Sequence, residues 1–378
     1  MRPHEVVARV LCERLQGCAA SEALRAMVAA QRVDWDAVVG HASAELVLPA
    51  FAAALQDLDL VGSLEPELGA FLAAVHAANQ ERNEALRSEL AAAALALNRV
   101  GLEPVLVKGS LRLLDGLYPD DGWRMLRDLD LLLPETSLAK ARRALEGAGY
   151  EPCGSRGEMR RPESACQIDL HAELFIGAND VRLLPAADVL NAARPAALGP
   201  ISVRIPSVEH QLVHLIGHGQ VRHLGHALGR IALRDRLEAA ALVRWGPDRV
   251  DWQAVYGRFR ATGYRRPLLS FVLTLNAGAW CAVPPPDRTD PLIMLQQRRI
   301  ELQDRSPTCA FIGSRLGWWV SALRSQLEVL QGGERRAIRT LRRLICQRGG
   351  LREIGRAFAD RQTHLMHALP LACWFLIP

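Results

Sequence analysis

The feature that most constrains this chain is a stretch in which two apolar segments enclose a turn and lead into a pair of acids. The segments run from Val105 to Val107 and from Leu129 to Leu133, and Asp128 and Asp130 stand at the start of the second. Residues two apart in a strand point to the same face, so the two carboxylates should lie side by side at the end of a buried strand. This arrangement is unfavourable unless a cation compensates it, and it therefore predicts a bound metal ion.

The turn after the first apolar segment contains Lys108, Gly109 and Ser110. Glycine lets the backbone approach a ligand closely, and the helix predicted to begin here would offer unpaired amides to a phosphate. A Gly-Ser pair is also common in ordinary turns, so it indicates little by itself. Of 46 basic residues only Lys108 and Lys140 are lysines. A compact ammonium suits a crowded phosphate in a way that the wide guanidinium of arginine does not.

A third acid, Asp169, interrupts a later apolar segment, and His171 follows it. If this segment is a strand beside the first two acids, Asp169 completes a set of three carboxylates. The set fits a two-metal transfer of a phosphoryl or nucleotidyl group, in which Asp128 and Asp130 hold two magnesium ions. Asp169 would then complete the shell of one ion or accept the proton of the nucleophile.

Neighbouring residues add to this interpretation. Ser110 and the amides near it would hold the terminal phosphates of a nucleoside triphosphate, while Lys108, Arg124 and Arg127 would offset the developing negative charge. A structural alternative stays open at this point. Asp128 and Asp130 would then only cap the end of a strand and pair with Arg124 and Arg127.

Together these motifs resemble a bacterial family, the uncharacterised nucleotidyltransferases, within the DNA polymerase beta nucleotidyltransferase superfamily. The motifs fall between residues 72 and 245 and comprise Lys108-Gly109, Tyr118-Pro119, Arg124, Asp128 to Leu132, Asp169-Leu170-His171 and a helix from Pro206 to Leu215. Ser110 and Asp128 lie 18 positions apart, which is longer than in many members of the superfamily. An insertion from Tyr118 to Trp123 would absorb the difference.

The resemblance implies metal-dependent transfer of a nucleoside monophosphate from a nucleoside triphosphate to a hydroxyl or phosphate acceptor. Mg²⁺ or Mn²⁺ would be bound by Asp128, Asp130 and Asp169. The residues expected to contact the nucleotide are Lys108, Gly109, Ser110, Arg124, Arg127 and His171. The acceptor is left open among small molecules, peptides and proteins, and nucleic acid is not excluded.

The pattern of helices and strands predicts an α+β fold in which a small mixed β-sheet carries the site. The sheet region, 101–206, is flanked by helical regions at 1–100, 207–281 and 291–378, with a proline-rich linker between the last two. Strands are predicted near 105–107, 129–133, 150–151, 167–170 and 201–205, with a loop over 154–164. Helices are predicted at 72–99, 138–148, 208–219, 224–244, 251–261, 265–280, 314–330, 334–347 and from 351.

Five of the 11 histidines lie between His210 and His226. His210, His214 and His218 are four residues apart and share one face of a helix. Zinc favours such spacing, but the sequence points to no cysteine or carboxylate partner for it. The preferred interpretation is that these histidines pack against the catalytic region, with metal binding as the alternative.

Composition excludes several classes of protein. With 49% hydrophobic and 23% charged residues the chain is globular, and a net charge of +5 is too small to indicate nucleic-acid binding by itself. The eight cysteines include no CxxC pair, which favours reduced thiols in the cytoplasm. We expect no membrane contact, because no apolar run reaches the roughly 18 residues that a spanning helix requires.

Two other functions compete with nucleotidyl transfer. A D-x-D motif also occurs in glycosyltransferases that bind a nucleotide sugar through a divalent ion, but such a fold would need a nucleotide-binding α/β unit before the motif. A non-catalytic nucleotide-binding or interaction module is the second rival. Three acids at matching positions argue against it, because such a module would not need them.

Overall fold

The computed structural model of the protein describes residues 2–17, 19–30, 33–154, 157–162, 164, 166–174, 182–246, 249–284 and 290–330. The chain divides into two compact units. The first contains residues 1–222 and 232–288, and the second contains residues 223–231 and 289–378. The fold is α+β, as the sequence predicts, and the β-sheet lies in the first unit.

The first unit begins with helices whose starts follow from local sequence. They are α1 (Pro3–Leu15), α2 (Glu22–Val28), α3 (Trp35–Ala44), α4 (Leu48–Asp57) and α5 (Pro66–Asn98). Ser21 and Asp34 cap α2 and α3 by accepting hydrogen bonds from the backbone amides of Leu24 and Ala37. The predicted helix at 72–99 is α5, which begins six residues earlier, at Pro66.

Among the described residues, seven strands form one mixed sheet with the order β3-β4-β5-β2-β1-β7-β6. Strand β1 is antiparallel to β2 and parallel to β7, and β2 is parallel to β5. The strands are β1 (Val105–Val107), β2 (Leu129–Leu132), β3 (Glu151–Cys153), β4 (Glu158–Arg160), β5 (Ile168–His171), β6 (Arg194–Leu198) and β7 (Ile201–Ile205).

Strands β1 and β2, which are the two apolar segments on either side of the Lys-Gly-Ser turn and the acids, lie at the centre of this sheet. Every residue of β1 and β2 is buried, which explains why both read as continuous apolar runs. Leu90 and Leu97 of α5 pack in the same core cluster as Leu106 and Leu131. The residues at the ends of β1 and β2 are therefore held by a packed core on one side.

Two strands depart from the prediction. The loop predicted over 154–164 contains β4, which pairs with β3 and β5. Strand β6 forms a hairpin with β7 where no strand was predicted. Its sequence, RPAAL, contains a proline and two alanines, which are weak strand formers.

Helices α6 (Leu138–Glu146) and α7 (Ala186–Ala192) lie between strands, and α8 (Val208–Gly217) follows the sheet. Ser207 caps α8 by accepting from the amide of His210, as its sequence suggests. The single helix predicted at 224–244 is wrong, because α9 (Gly225–Leu228) ends at Gly229, whose φ is +68°, and α10 (Leu233–Trp245) begins afresh. Helices α11 (Trp252–Ala261) and α12 (Arg265–Ala277) complete the first unit.

The second unit contains α9, α13 (Pro291–Arg305) and α14 (Pro307–Leu330). Helix α13 was not predicted, and α14 begins seven residues before the predicted start at 314. Buried Arg299 donates to the backbone oxygens of Ala227 and Gly313, at 2.8 and 3.0 Å, and Gln303 donates to that of Leu228 at 2.9 Å. The helices predicted at 334–347 and from 351 lie outside the described residues.

The cysteines in the described residues carry free thiols: Cys12, Cys153, Cys166, Cys281 and Cys309. No helix in the described part of the chain combines the length and the apolar character needed to cross a membrane.

Candidate functional site

The register of two parallel strands brings the acids together. Asp130 on β2 lies directly opposite Asp169 on β5, and Leu132 lies opposite His171. Since side chains alternate along a strand, Asp130, Asp169 and His171 project from the same face of the sheet. One ligand atom from each of these three residues lies within 4.8 Å of the other two, which is close enough for all three to hold one ion.

Asp130 is the most buried member of this group, with 1% of its surface exposed. Lys108 Nζ donates to Asp130 Oδ1 at 2.6 Å, and His171 Nε2 lies 2.6 Å from the same oxygen. Burial raises the pKa of Asp130, but the hydrogen bond with His171 and the charge of Lys108 outweigh it and hold that pKa below its usual value. Asp130 is therefore an ionised carboxylate at neutral pH.

The other two acids have the opposite shift. Burial and the charge of Asp130 raise the pKa of Asp128, and burial together with the charges of Asp130 and Asp128 raises the pKa of Asp169. Asp128 is not one of the three residues that share a 4.8 Å group, but its charge reaches both other acids. The site thus concentrates negative charge that a cation would stabilise.

The Lys-Gly-Ser turn lies next to Asp130 because Val107 of β1 pairs with that residue. Lys108 has a φ of +52°, which turns its backbone sharply at the end of β1. Ser110 is fully buried, and its Oγ accepts a hydrogen bond from the backbone amide of Asp130 at 2.6 Å. A side chain at Gly109 would collide with Leu126 unless that leucine moved.

The predicted helix after this turn is instead a six-residue 3₁₀ helix, Lys108–Leu113. A helix thus follows the turn, as predicted, and phosphate binding by its amides stays a prediction. The tight 3₁₀ form agrees with the hydrogen bond by which Ser110, inside this helix, reaches β2. The turn ties the two central strands together at the site.

The structural alternative, in which Asp128 and Asp130 pair with Arg124 and Arg127, has no such ion pair among the described residues. Arg124 donates through Nε to Glu238 Oε2 at 2.8 Å, and Arg127 is exposed. Arg112, on the 3₁₀ helix, donates to the other oxygen of Glu238 at 3.2 Å. Burial raises the pKa of Glu238, but the charges of Arg124 and Arg112 lower it to about 2.

Sequence reasoning missed Glu238 and Arg112. The one signal is an acid inside the apolar run LEAAAL of α10, where an unpaired charge would be costly. Its partner Arg112 lies 126 positions earlier, so no local spacing connects them. Sequence reasoning singled out the acids that the strands bring together but not the buried charges of Glu238 and Arg112.

Helix α5 holds the segment that leads into β2. Asn79 Nδ2 donates to the backbone oxygen of Gly122 at 2.7 Å, and Asn83 Nδ2 donates to that of Arg124 at 2.7 Å. Arg82 Nε donates to the oxygen of Leu126 at 3.3 Å. Polar residues in the middle of an Ala-rich helix are thus explained by their contacts with the backbone of this segment.

Two of the histidines, His210 and His214, lie on α8, and His218 follows directly after it. In the described parts of the chain, His210, His214 and His218 belong to no group of three ligands that could share an ion. The rings of His214 and His218 pack edge to face, with their centroids 5.7 Å apart. Burial, followed by the charge of Lys108, lowers the pKa of His214 to about 4, so its ring is neutral.

Comparison with known proteins gives one match. A family model described as "Uncharacterised nucleotidyltransferase" matches residues 31–277. The chain belongs to this family. The matched range, which is well over half of the chain, contains the whole sheet and every residue of the candidate site. No curated protein and no solved structure matches the chain.

Membership of the nucleotidyltransferase family gives the site its chemical context. The family name supports a transferase activity on a nucleotide substrate. Asp130, Asp169 and His171 offer two carboxylates and one imidazole, a donor set that fits a divalent ion. These three residues form a candidate metal-binding group on β2 and β5, beside the Lys-Gly-Ser turn.

The buried pair of Glu238 with two arginines predicts a measurable dependence of stability on pH. The folded-state pKa of Glu238 lies below its ordinary 4.5, so its contribution to stability is complete above that pH and is lost as the pH falls toward 2. The free energy of unfolding of the wild type, relative to that of Glu238→Gln, should therefore fall by about 1 kcal/mol per pH unit as the pH is lowered from 4.5 to about 2.

Urea unfolding from pH 6 downward measures this difference, and other titrating groups cancel between the two proteins. The variant Glu67→Gln removes an exposed carboxylate and is the matched control. A difference between wild type and Glu238→Gln that stays constant with pH would contradict the assignment of Glu238 as a buried anion.

Proposed function

We propose that this protein transfers a nucleoside monophosphate from a nucleoside triphosphate to a hydroxyl or phosphate acceptor, with release of pyrophosphate. The observation that carries the proposal is the pairing of Asp130 with Asp169 across two parallel strands, in a member of a nucleotidyltransferase family. A site built in this way on the rigid centre of a sheet suits a reaction that depends on positioning.

Asp130, Asp169 and His171 are the residues proposed to hold the divalent ion. Such an ion stabilises negative charge on the phosphate oxygens and orients the attacking and leaving groups. We propose Mg²⁺ or Mn²⁺, because both prefer carboxylate oxygens, and Mn²⁺ tolerates the imidazole better. Asp128, at the outer edge of the same face, extends the site toward a second ion or the nucleotide.

Asp169 is the residue proposed to accept the proton of the acceptor. Only part of its side chain is buried, so an acceptor can reach it, whereas Asp130 is enclosed. Burial and the neighbouring charges raise its pKa, which brings its basicity closer to the operating pH. Asp130 is thus proposed to act only as a ligand of the ion, and Asp169 both as a ligand and as the base that accepts the proton.

Lys108 is proposed to contact the phosphates of the nucleotide. In the described structure its ammonium compensates Asp130. A divalent ion on Asp130 would supply that compensation instead, and Lys108 would be released toward the triphosphate. Gly109 keeps the turn narrow beside Leu126, and Ser110 fixes the position of Asp130 through its backbone amide.

The other predicted contacts with the nucleotide differ in their support. Arg127 is exposed near the site and can approach a phosphate. Arg124 is engaged by Glu238, so its proposed role is to hold the segment before Asp128. The donor is proposed to be a nucleoside triphosphate, and the acceptor remains a small molecule, a peptide, a protein or nucleic acid.

The proposed function predicts that binding of the nucleotide depends on the divalent ion. Calorimetric titration of ATP and GTP into the wild type should show binding by at least one of them that requires Mg²⁺. Asn substitution of both Asp130 and Asp169 should remove this binding, because it removes two of the three ligands. An Asp36→Asn variant, which changes an exposed acid on α3, should bind as the wild type does. Binding that ignores both metal and mutation would contradict the proposal.

A further prediction separates the effect of Lys108 on metal binding from its effect on triphosphate binding. In Lys108→Met the internal cation on Asp130 is lost, so Mn²⁺ alone should bind more tightly than to the wild type. The triphosphate, measured at saturating Mn²⁺, should bind more weakly, because the variant lacks the ammonium proposed to contact it. Paramagnetic titration of Mn²⁺ and calorimetry of the nucleotide measure the two affinities. A change of both affinities in the same direction would contradict the role given to Lys108.

A further inference from the structure

A single buried carboxylate on α10 contacts both segments that build the site. Glu238 has 4% of its surface exposed, and its two oxygens accept from different arginines. Oε1 accepts from Arg112, two residues after Ser110 in the turn. Oε2 accepts from Arg124, four residues before Asp128. These segments are the two arms of the site, and we refer to them as the turn arm (105–114) and the acid arm (124–130).

The contacts beyond Glu238 continue the same connection. Arg112 also donates to Gln211 Oε1 of α8 at 2.9 Å and pairs with Asp115. At the other end of the arms, Ser110 Oγ accepts the amide of Asp130. The two arms are therefore joined at the reactive end by the pairing of Val107 with Asp130 and by Ser110, and behind it by Glu238.

The charges in this cluster are balanced only when Glu238 is present. Arg112 and Arg124 contribute two positive charges, and Asp115 together with Glu238 contributes two negative ones. Loss of the Glu238 charge would leave the two arginines with less compensating charge, from Asp115 beside Arg112 and from Asp235 near Arg124. Since buried like charges repel, the arms would separate.

The chain between the arms explains why a distant residue is needed. Ser110 and Asp128 are separated by 18 positions, and the intervening chain folds back so that Tyr118 stacks on Trp123, with ring centroids 6.0 Å apart. No strand or helix of the described structure runs directly from one arm to the other. Strand pairing connects the arms at Val107 and Asp130, and beyond that pair side chains such as Glu238 connect them.

We infer that Glu238 is a positioning residue, which holds the turn arm and the acid arm together behind their strand pairing and thereby supports the geometry of Lys108 and Ser110 relative to Asp130. The inference rests on the proposed function for its effect on metal and nucleotide binding. The connection between the arms is a property of the structure that can be tested separately. Glu238 contacts none of the proposed metal ligands and is inferred to act only through Arg112 and Arg124.

The first test measures the connection without any ligand. Hydrogen exchange is followed by mass spectrometry in the wild type, Glu238→Gln and Glu238→Asp, at peptides from both arms and from the β6–β7 hairpin. Loss of a charged hydrogen bond corresponds to about tenfold faster opening. Both arms of Glu238→Gln should exchange faster by about that factor, while the hairpin exchanges as in the wild type.

Two further variants sharpen this test. Glu238→Asp keeps the charge with a shorter reach and should fall between wild type and Glu238→Gln, so it also serves if Glu238→Gln fails to fold. Asp115→Asn removes a carboxylate that pairs with Arg112 and accepts from the backbone amide of Leu117, and it should affect the turn arm and not the acid arm. Equal acceleration of all regions, or no acceleration in the arms, would overturn the inference.

The second test connects the arms to the site through Mn²⁺ titration followed by electron paramagnetic resonance. Removal of a residue that supports metal ligands from behind weakens affinity by about 10- to 100-fold, and Glu238→Gln should show a loss in this range with partial rescue in Glu238→Asp. Unchanged affinity in a folded Glu238→Gln would overturn the inference. A wild type that binds no Mn²⁺ would instead contradict the proposed function, and hydrogen exchange would still decide whether Glu238 joins the arms.

Discussion

The rest of this structure depends on the burial of one ionised carboxylate, that of Asp130. Burial of an unpaired carboxylate is too costly for a folded protein, so its surroundings must supply positive charge and hydrogen-bond donors. Here Lys108 and His171 reach the same oxygen, and the backbone amide of Asp130 is bonded to Ser110. The Lys-Gly-Ser turn, the parallel pairing of β2 with β5 and the position of His171 all meet at this residue.

A second buried charge lies behind the first and has a different role. The charge of Glu238 is compensated by Arg112 and Arg124, and its side chain is buried on α10. Asp130, by contrast, faces Asp169 and Asp128, so the total charge around it remains negative. A balanced cluster stabilises the fold, whereas an unbalanced one attracts a ligand. This contrast is the physical reason for assigning support to one and ligand binding to the other.

The sequence predicts the parts of this account that depend on local pattern. Apolar runs locate β1 and β2, and an acid in a later apolar run locates Asp169, because a charge inside a buried strand is conspicuous. The sequence does not predict strand β6, because its alanines and proline lack a strand signature. It also does not predict the 3₁₀ form of the helix after the turn, from which Ser110 reaches the backbone amide of Asp130. The Arg112–Glu238 contact spans 126 positions and depends on the packing of α10 against the turn, which no spacing reveals.

We propose that Asp130, Asp169 and His171 form one cation site at the end of two parallel strands. Anomalous diffraction from a crystal soaked in Mn²⁺ is the sharpest test of this site. We predict an anomalous peak about 2.0–2.6 Å from a carboxylate oxygen of each acid and from a ring nitrogen of His171. Lys108 Nζ should have moved away from Asp130 in the same crystal. Mn²⁺ bound elsewhere, with Lys108 still on Asp130 and no peak between the three side chains, would contradict the account.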